Sequence, residues 1–276
     1  MRIGLVVQEE PVYFGPFLRR IIEERPKEFV VITIAGSRGA GGHPKTPAKK
    51  LEHLYLLWLL LEADGFLRNG LITLWQKCIK CFGLTGARFD QRSIEGMARK
   101  QHIPVIHAGD IHSPEFVDQL RQFSLDVILN QSDLLLKEEI LKVPKIGTMN
   151  RHGSLLPLFR GRLASFWSHA QENPEYGITI HFVDKKIDSG PIICQKKLEI
   201  DPRLSYGNIL DLLFAASSSL VLEALDQINR PGFSPLANHY EGTPTYLFPT
   251  LRDVKRYREL MKRRRGGKPA SDRRGR

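Results

Sequence analysis

Asn150-Arg-His152-Gly-Ser154-Leu155-Leu-Pro157-Leu-Phe-Arg160-Gly161-Arg162 follows an apolar run from Val143 to Met149. A second apolar run, Ile178 to Val183, opens into Asp184-Lys-Lys-Ile-Asp188-Ser-Gly-Pro. In both places a buried-strand composition gives way to polar residues, Gly and Pro, as a strand does when it ends in a loop at the mouth of a sheet. Two strand ends therefore deliver an amide, an imidazole and a carboxylate. A side-chain amide can donate to an oxyanion developing at a carbonyl. An imidazole near neutrality can take a proton from an attacking amine or hold the developing charge. Asn150 and His152, two residues apart, fall on one side of a strand. The carboxylate of Asp188 can orient the histidine and accept a proton. Together the three suit acyl transfer to an amine without a covalent enzyme intermediate. Taken singly, Asn150 and His152 also suit loop shaping, and Asp188 a turn.

Outward from this stretch, short apolar runs alternate with helical spacers. Ile3 to Val7, Phe29 to Ala35, His102 to His107, Leu125 to Asn130 and Val143 to Asn150 read as strands, with helices around 17–24 and 114–123. Crossover helices make such strands parallel, and an open α/β sheet binds ligands beyond the carboxyl ends of its strands. Residues 45–100 form an insertion after the second strand, with apolar helices at 51–61 and 71–82. A helical hairpin packed on the sheet, a membrane-surface or partner-binding pair and a homo-oligomer surface all fit its composition. Ser205 to Asn229 is a Ser-capped amphipathic helix. A Pro- and Gly-containing wrap follows, then a short helix from Thr250 with Asp253 three residues on.

Over 276 residues the net charge is +11, which invites a nucleic-acid reading. Residues 252–276 carry 12 Lys/Arg against 3 Asp/Glu, so +9 of that charge belongs to the carboxyl end. A solvated basic extension is the favoured reading over a nucleic-acid anchor. Three cysteines fit a reducing compartment better than a disulfide scaffold. The amino end opens directly on a strand pattern without a signal peptide, and the 8-residue run Leu54 to Leu61 is too short to span a bilayer. A cytoplasmic protein without a transmembrane segment is expected.

Ser154 lacks the Gly-x-Ser-x-Gly elbow of a hydrolase nucleophile and reads as a loop-shaping residue. Cys78-Ile-Lys-Cys81 has no second pair, so no metal site is expected, and Cys194 reads as core. His107 and His112, around Asp110, either line a pocket or sit on an exposed loop. Gln8-Glu9-Glu10-Pro11 after the first strand is acidic where a phosphate loop needs free amides.

Asn150-x-His152, Ser154-Leu-Leu-Pro157, Arg160-Gly161, Gly177-Ile-Thr179-Ile-His181 and Asp188-Ser-Gly190-x-Ile192 resemble the signature of the folate-dependent formyltransferases, over residues 143–200. The resemblance implies a Rossmann-like, mostly parallel α/β sheet with helices on both faces, and a catalytic domain at 1–230. Residues 231–261 would be a wrap with a short helix, and 262–276 a disordered basic tail. It implies 10-formyltetrahydrofolate as cosubstrate and Asn150, His152 and Asp188 as the catalytic set. Leu134, Leu135 and Leu136 would cradle the pterin through backbone groups, with Asp184, Ser154, Leu155 and Pro157 along the folate. The segment after the Ser205 helix is shorter than the barrel domain of tRNA-formylating members, and Arg160-Gly161-Arg162 with Phe166-Trp167-Ser168 resembles sugar N-formyltransferases. A small-molecule amine such as an amino sugar is the expected acceptor. A methionyl-tRNA acceptor and a non-catalytic folate-binding protein are the alternatives.

Overall fold

The computed structural model describes residues 1–8, 10, 12–36, 46–82 and 93–266. The first half contains β1 (Ile3–Val7), α1 (Phe14–Glu24), β2 (Phe29–Ala35), α2 (Pro47–Cys81), α3 (Ile94–Lys100), β3 (Val105–Ala108), α4 (Pro114–Arg121), β4 (Val127–Gln131) and α5 (Glu138–Leu141). Then come β5 (Gly147–His152), β6 (Arg160–Gly161), α6 (Ala164–His169), β7 (Tyr176–Phe182), β8 (Ile192–Leu198), α7 (Tyr206–Ile228), β9 (Thr245–Tyr246) and α8 (Leu251–Gly266).

Apolar side chains on both faces of β1, β2 and β4 leave these strands no solvent side, and they form the middle of the sheet. The sheet order is β3-β2-β1-β4-β5-β7-β8. β1 to β5 run parallel, and β7 and β8 join antiparallel at one edge. α1, α3 and α7 cover one face through Phe17, Ile21, Ile94, Leu213 and Leu220. α4 and α5 cover the other through Phe116, Leu120 and Ile140. This is the Rossmann-like, mostly parallel α/β arrangement expected, with Cys194 in the core.

Three boundaries move for identifiable reasons. β3 begins at Val105 because Pro104 has no N–H for the ladder and His102 sits at φ 55°. β5 lies later than expected and runs through His152, since pairing with β7 matches Arg151 to Ile180 and His152 to Thr179. α8 continues to Gly266, so residues 262–266 are helical and not a disordered tail. The Arg265 guanidinium meets both Glu62 carboxylate oxygens at 2.8 Å. Arg264 donates to the carbonyls of His169, at 2.9 Å, and Gln171. Charges committed to the fold in this way favour helix over coil. The remaining expected tail, 267–276, lies outside the described residues, as do 37–45 of the loop after β2.

The apolar helices of the insertion, joined here as α2, pack on other helices, and only α3 at its end covers the sheet. α2 breaks at Glu62 (φ 62°), and Leu56, Leu60 and Leu61 pack instead against Phe166, Tyr206, Val254 and Tyr257, from α6, α7 and α8. Leu51, Leu54, Trp58, Leu67, Leu71, Leu74 and Trp75 remain exposed. α7 is long and apolar enough to cross a membrane by length and composition alone, yet half of it is buried in the fold. Its cap is the expected one, Ser205 Oγ accepting from the Asn208 amide at 3.3 Å. Such a cap contributes about 1 kcal/mol.

Candidate active site

A cleft of about 750 Å³ runs along the carboxyl ends of the parallel strands. Asn150, His152 and Asp188 all line it, so the three residues read from two strand ends do converge. Asn150 and His152 share one side of β5, as alternation requires. Across the strand pair, Asn150 lies opposite His181 of β7.

The Asp188 loop is held by the segments its motif neighbours come from. Arg160 donates twice to the Ile187 carbonyl, from Nε at 3.0 Å and Nη2 at 2.6 Å. The Gly161 amide donates to Asp188 Oδ2 at 2.6 Å. Gly161 has φ +99°, and a Cβ there would run into the Tyr246 carbonyl oxygen, so only glycine brings that amide to the carboxylate. From the carboxyl-terminal wrap, Asn238 Nδ2 donates to the carbonyls of Asp188 and Gly190, each at 3.1 Å. Asp188 itself adopts φ 45°, a left-handed backbone that Asp tolerates better than most residues.

His152 is buried, with Nε2 3.1 Å from the Phe159 carbonyl and Nδ1 3.5 Å from Asp188 Oδ2. A carbonyl only accepts, so Nε2 carries a proton in this geometry. Asn150 Oδ1 accepts from Gln131 Nε2 at 3.1 Å, and Gln131 also donates to the Asn130 carbonyl at 2.6 Å. With its oxygen so held, the amide of Asn150 has its Nδ2 donors left for the cleft. Asp188 Oδ1 accepts no hydrogen bond among the described residues, and His181 Nε2 lies 3.7 Å from it. His181 donates from Nδ1 to the Phe182 carbonyl at 2.8 Å. Burial lowers its pKa to about 4, against the opposing pull of Asp188, so the ring is neutral near pH 7.

The model of the formyl transferase family matches residues 71–225, more than half of the chain. The chain belongs to the formyl transferase family. A methionyl-tRNA formyltransferase of Thermotoga maritima is 31% identical over 190 residues, covering 68% of this chain and 56% of the relative. The chain spans about half the length of the curated relatives it matches. Among solved structures, a phosphoribosylglycinamide formyltransferase from Bacillus halodurans superposes with a TM-score of 0.56 at 18% identity, over 84% of this chain and 96% of that one. An N-formyltransferase from Helicobacter canadensis, solved with folinic acid and dTDP-3-aminofucose, does so with a TM-score of 0.51 at 15% identity, over 95% of this chain and 80% of that one. At these identities the likeness is one of fold.

A formyl transferase of this family needs room for a folate. Leu134, Leu135, Leu136 and Asp184 all line the cleft. Among the described residues, the amides and carbonyls of Leu134 to Leu136 make no main-chain hydrogen bonds, and His112 Nδ1 is buried without a partner. Free backbone donors and acceptors beside apolar side chains fit the polar edge of a pterin. Ser154, Leu155 and Pro157, expected along the folate, are not among the residues that line the cleft. Ser154 Oγ donates to the Leu158 carbonyl at 3.0 Å, and Leu155 packs on Gly177. The first bond closes the loop on itself, and Leu155 pins it to β7, where Thr179 Oγ1 takes the Leu156 amide at 3.0 Å and donates to the Ser154 carbonyl at 2.7 Å. His112 lines the cleft, whereas exposed His107 pairs with Glu95 at 3.1 Å. Sequence reasoning passed over Gln131, Arg151 and the bracing Asn238. An amide at the end of an apolar strand was the available signal for Gln131.

Proposed function

We propose that this chain transfers a formyl group from 10-formyltetrahydrofolate to a primary amine of a small acceptor such as an amino sugar. The observation that carries this reading is the meeting of Asn150, His152 and Asp188 beside the free backbone of Leu134 to Leu136. Bound folate supplies the formyl carbon. Asn150 Nδ2 donates to the oxygen on which negative charge develops, its direction set by Gln131. Asp188 Oδ1, without a hydrogen bond among the described residues, is the base for the proton leaving the amine. Both His152 nitrogens face protein oxygens, so the ring works beside that charge and through Asp188 rather than as a free shuttle.

Purified protein offered a panel of small amines should release tetrahydrofolate with one of them. Asn150→Ala should lower turnover by about 10²–10³-fold. Full activity in Asn150→Ala and in His152→Ala would overturn the reading.

The names of the curated relatives favour a second reading, tRNA formylation. The carboxyl-terminal charges argue against it, because Arg258, Arg263 and Arg265 pair with Glu62 or Glu172. Affinity for tRNA that falls steeply with salt and disappears when residues 267–276 are removed would establish it instead.

A further inference from the structure

Alternation along β5 sends Arg151 to the face opposite Asn150 and His152, against α7. Its Nε donates to Ser217 Oγ at 2.8 Å, and its guanidinium lies over the Phe214 ring at 4.0 Å. It makes no ion pair among the described residues, and its Nη2 is buried without a hydrogen-bond partner. Arg151 nevertheless lines the cleft, as do Phe14, Ser165, Tyr206, Leu210 and Phe214. Burial lowers its pKa to about 10, so the group stays cationic at neutral pH.

Arg151 is partly buried as a residue, but its Nη2 is shut off from solvent. A cation with a buried, unpaired donor and no counter-ion is costly, and proteins pair such groups or use them. The fold had apolar alternatives here, since Met149, Ile180 and Leu213 fill the same face of the sheet. Arginine presents a fork of donors matched to carboxylate and phosphate oxygens, and that fork is incompletely used. The Leu134 to Leu136 side of the cleft is taken by the folate in the proposed reaction. The Arg151 side is what remains for the acceptor.

We propose that the Arg151 half of the cleft binds an oxyanion group, carboxylate or phosphate, carried by the amine acceptor. This rests on the formyl-transfer reading for the word acceptor, but the anion site itself does not need catalysis. The full chain is titrated calorimetrically with inorganic phosphate, with acetate and with sodium chloride at matched ionic strength, and separately with folinic acid. Phosphate or acetate should bind saturably where chloride does not, and whichever binds names the group. Arg151→Lys, which keeps the charge and loses the fork, should weaken that binding by about tenfold. Arg151→Met should abolish it, leave folinic acid binding within twofold, and melt no lower than the parent, because an unpaired buried charge has gone. No saturable binding of either anion, or unchanged binding in Arg151→Met, overturns the proposal. So does a large fall in melting temperature in both variants with anion binding retained, which marks Arg151 as structural. Anion binding through Arg151 with no folinic acid binding would leave the site standing and remove the formyl-transfer reading.

Discussion

The two faces of β5 are built on opposite terms. On one, Asn150 Oδ1, both His152 nitrogens and Asp188 Oδ2 all have protein oxygens or donors within 3.5 Å. On the other, the Arg151 side chain makes one hydrogen bond among the described residues and leaves Nη2 bare. Prebuilt networks resist reorganisation, which suits groups that must already point at a developing charge. An unfilled buried donor at the edge of a cleft is a group that a ligand can complete. The contrast separates the labour: the Asn150 face holds chemistry in place, and the Arg151 face leaves recognition to the acceptor.

Replacing the carboxylate tests the first half of that contrast hardest. Asp188→Asn retains an acceptor for the Gly161 amide and the size of the side chain, but removes the base. Turnover should fall about 10²–10⁴-fold, the usual contribution of a positioned acid or base, with melting temperature little changed. A loss under fivefold would mean that the proton leaves by another route and that the network only shapes the loop.

A smaller effect is expected from His181, a buried neutral ring on the same face as Asn150. Its pKa falls from 6.5 to about 4 on folding, so the unfolded chain binds a proton more readily. Stability is therefore whole above about pH 6.5 and declines as pH drops toward 4. The loss is on the order of 3 kcal/mol at most. Urea unfolding at pH 7 and pH 4.5 should show a shallower decline in His181→Gln than in the parent. His169, held down to about 3 by burial, contributes to the slope of both proteins and cancels in the comparison. Equal slopes would show that the His181 ring is not held neutral by the fold.

Much of this was legible in the sequence because it is local. Apolar runs located the parallel strands, Ser205 and the Thr250–Asp253 pair set helix starts, and the two-residue spacing of Asn150 and His152 put them on one side. What escaped depends on distant partners. Arg264 and Arg265 read as a charge run until His169, Gln171 and Glu62 are seen to receive them. α2 reads as a hairpin for the sheet, but the surface that accepts it belongs to α6, α7 and α8. Ser154 and Pro157 share a motif with His152 and still are not among the residues lining the cleft, because a loop has no period to carry direction. Arg151 escapes for a related reason: the apolar run ends the strand at Asn150, and only pairing with β7 carries it through Arg151 and under α7.

The smallest expected effect probes how the network is aimed. Gln131 is a positioning residue: its Nε2 holds Asn150 Oδ1 at 3.1 Å and is itself fixed by the Asn130 carbonyl. In Gln131→Leu the Asn150 amide loses the partner that distinguishes its two ends, so the oxyanion donor faces the cleft for only part of the time. Side chains of similar volume keep the core filled, which limits any loss of stability. A hydrogen bond of this kind contributes about 1 kcal/mol, or roughly fivefold in rate. That loss should appear in kcat, with KM for the folate unchanged, because the ground state does not use the donor. Asn150→Ala alone and together with Gln131→Leu should be equally slow, since Gln131 acts only through Asn150. If the double variant is slower than Asn150→Ala, Gln131 reaches the reacting atoms directly, and the prebuilt face of β5 is one residue larger than the geometry indicates.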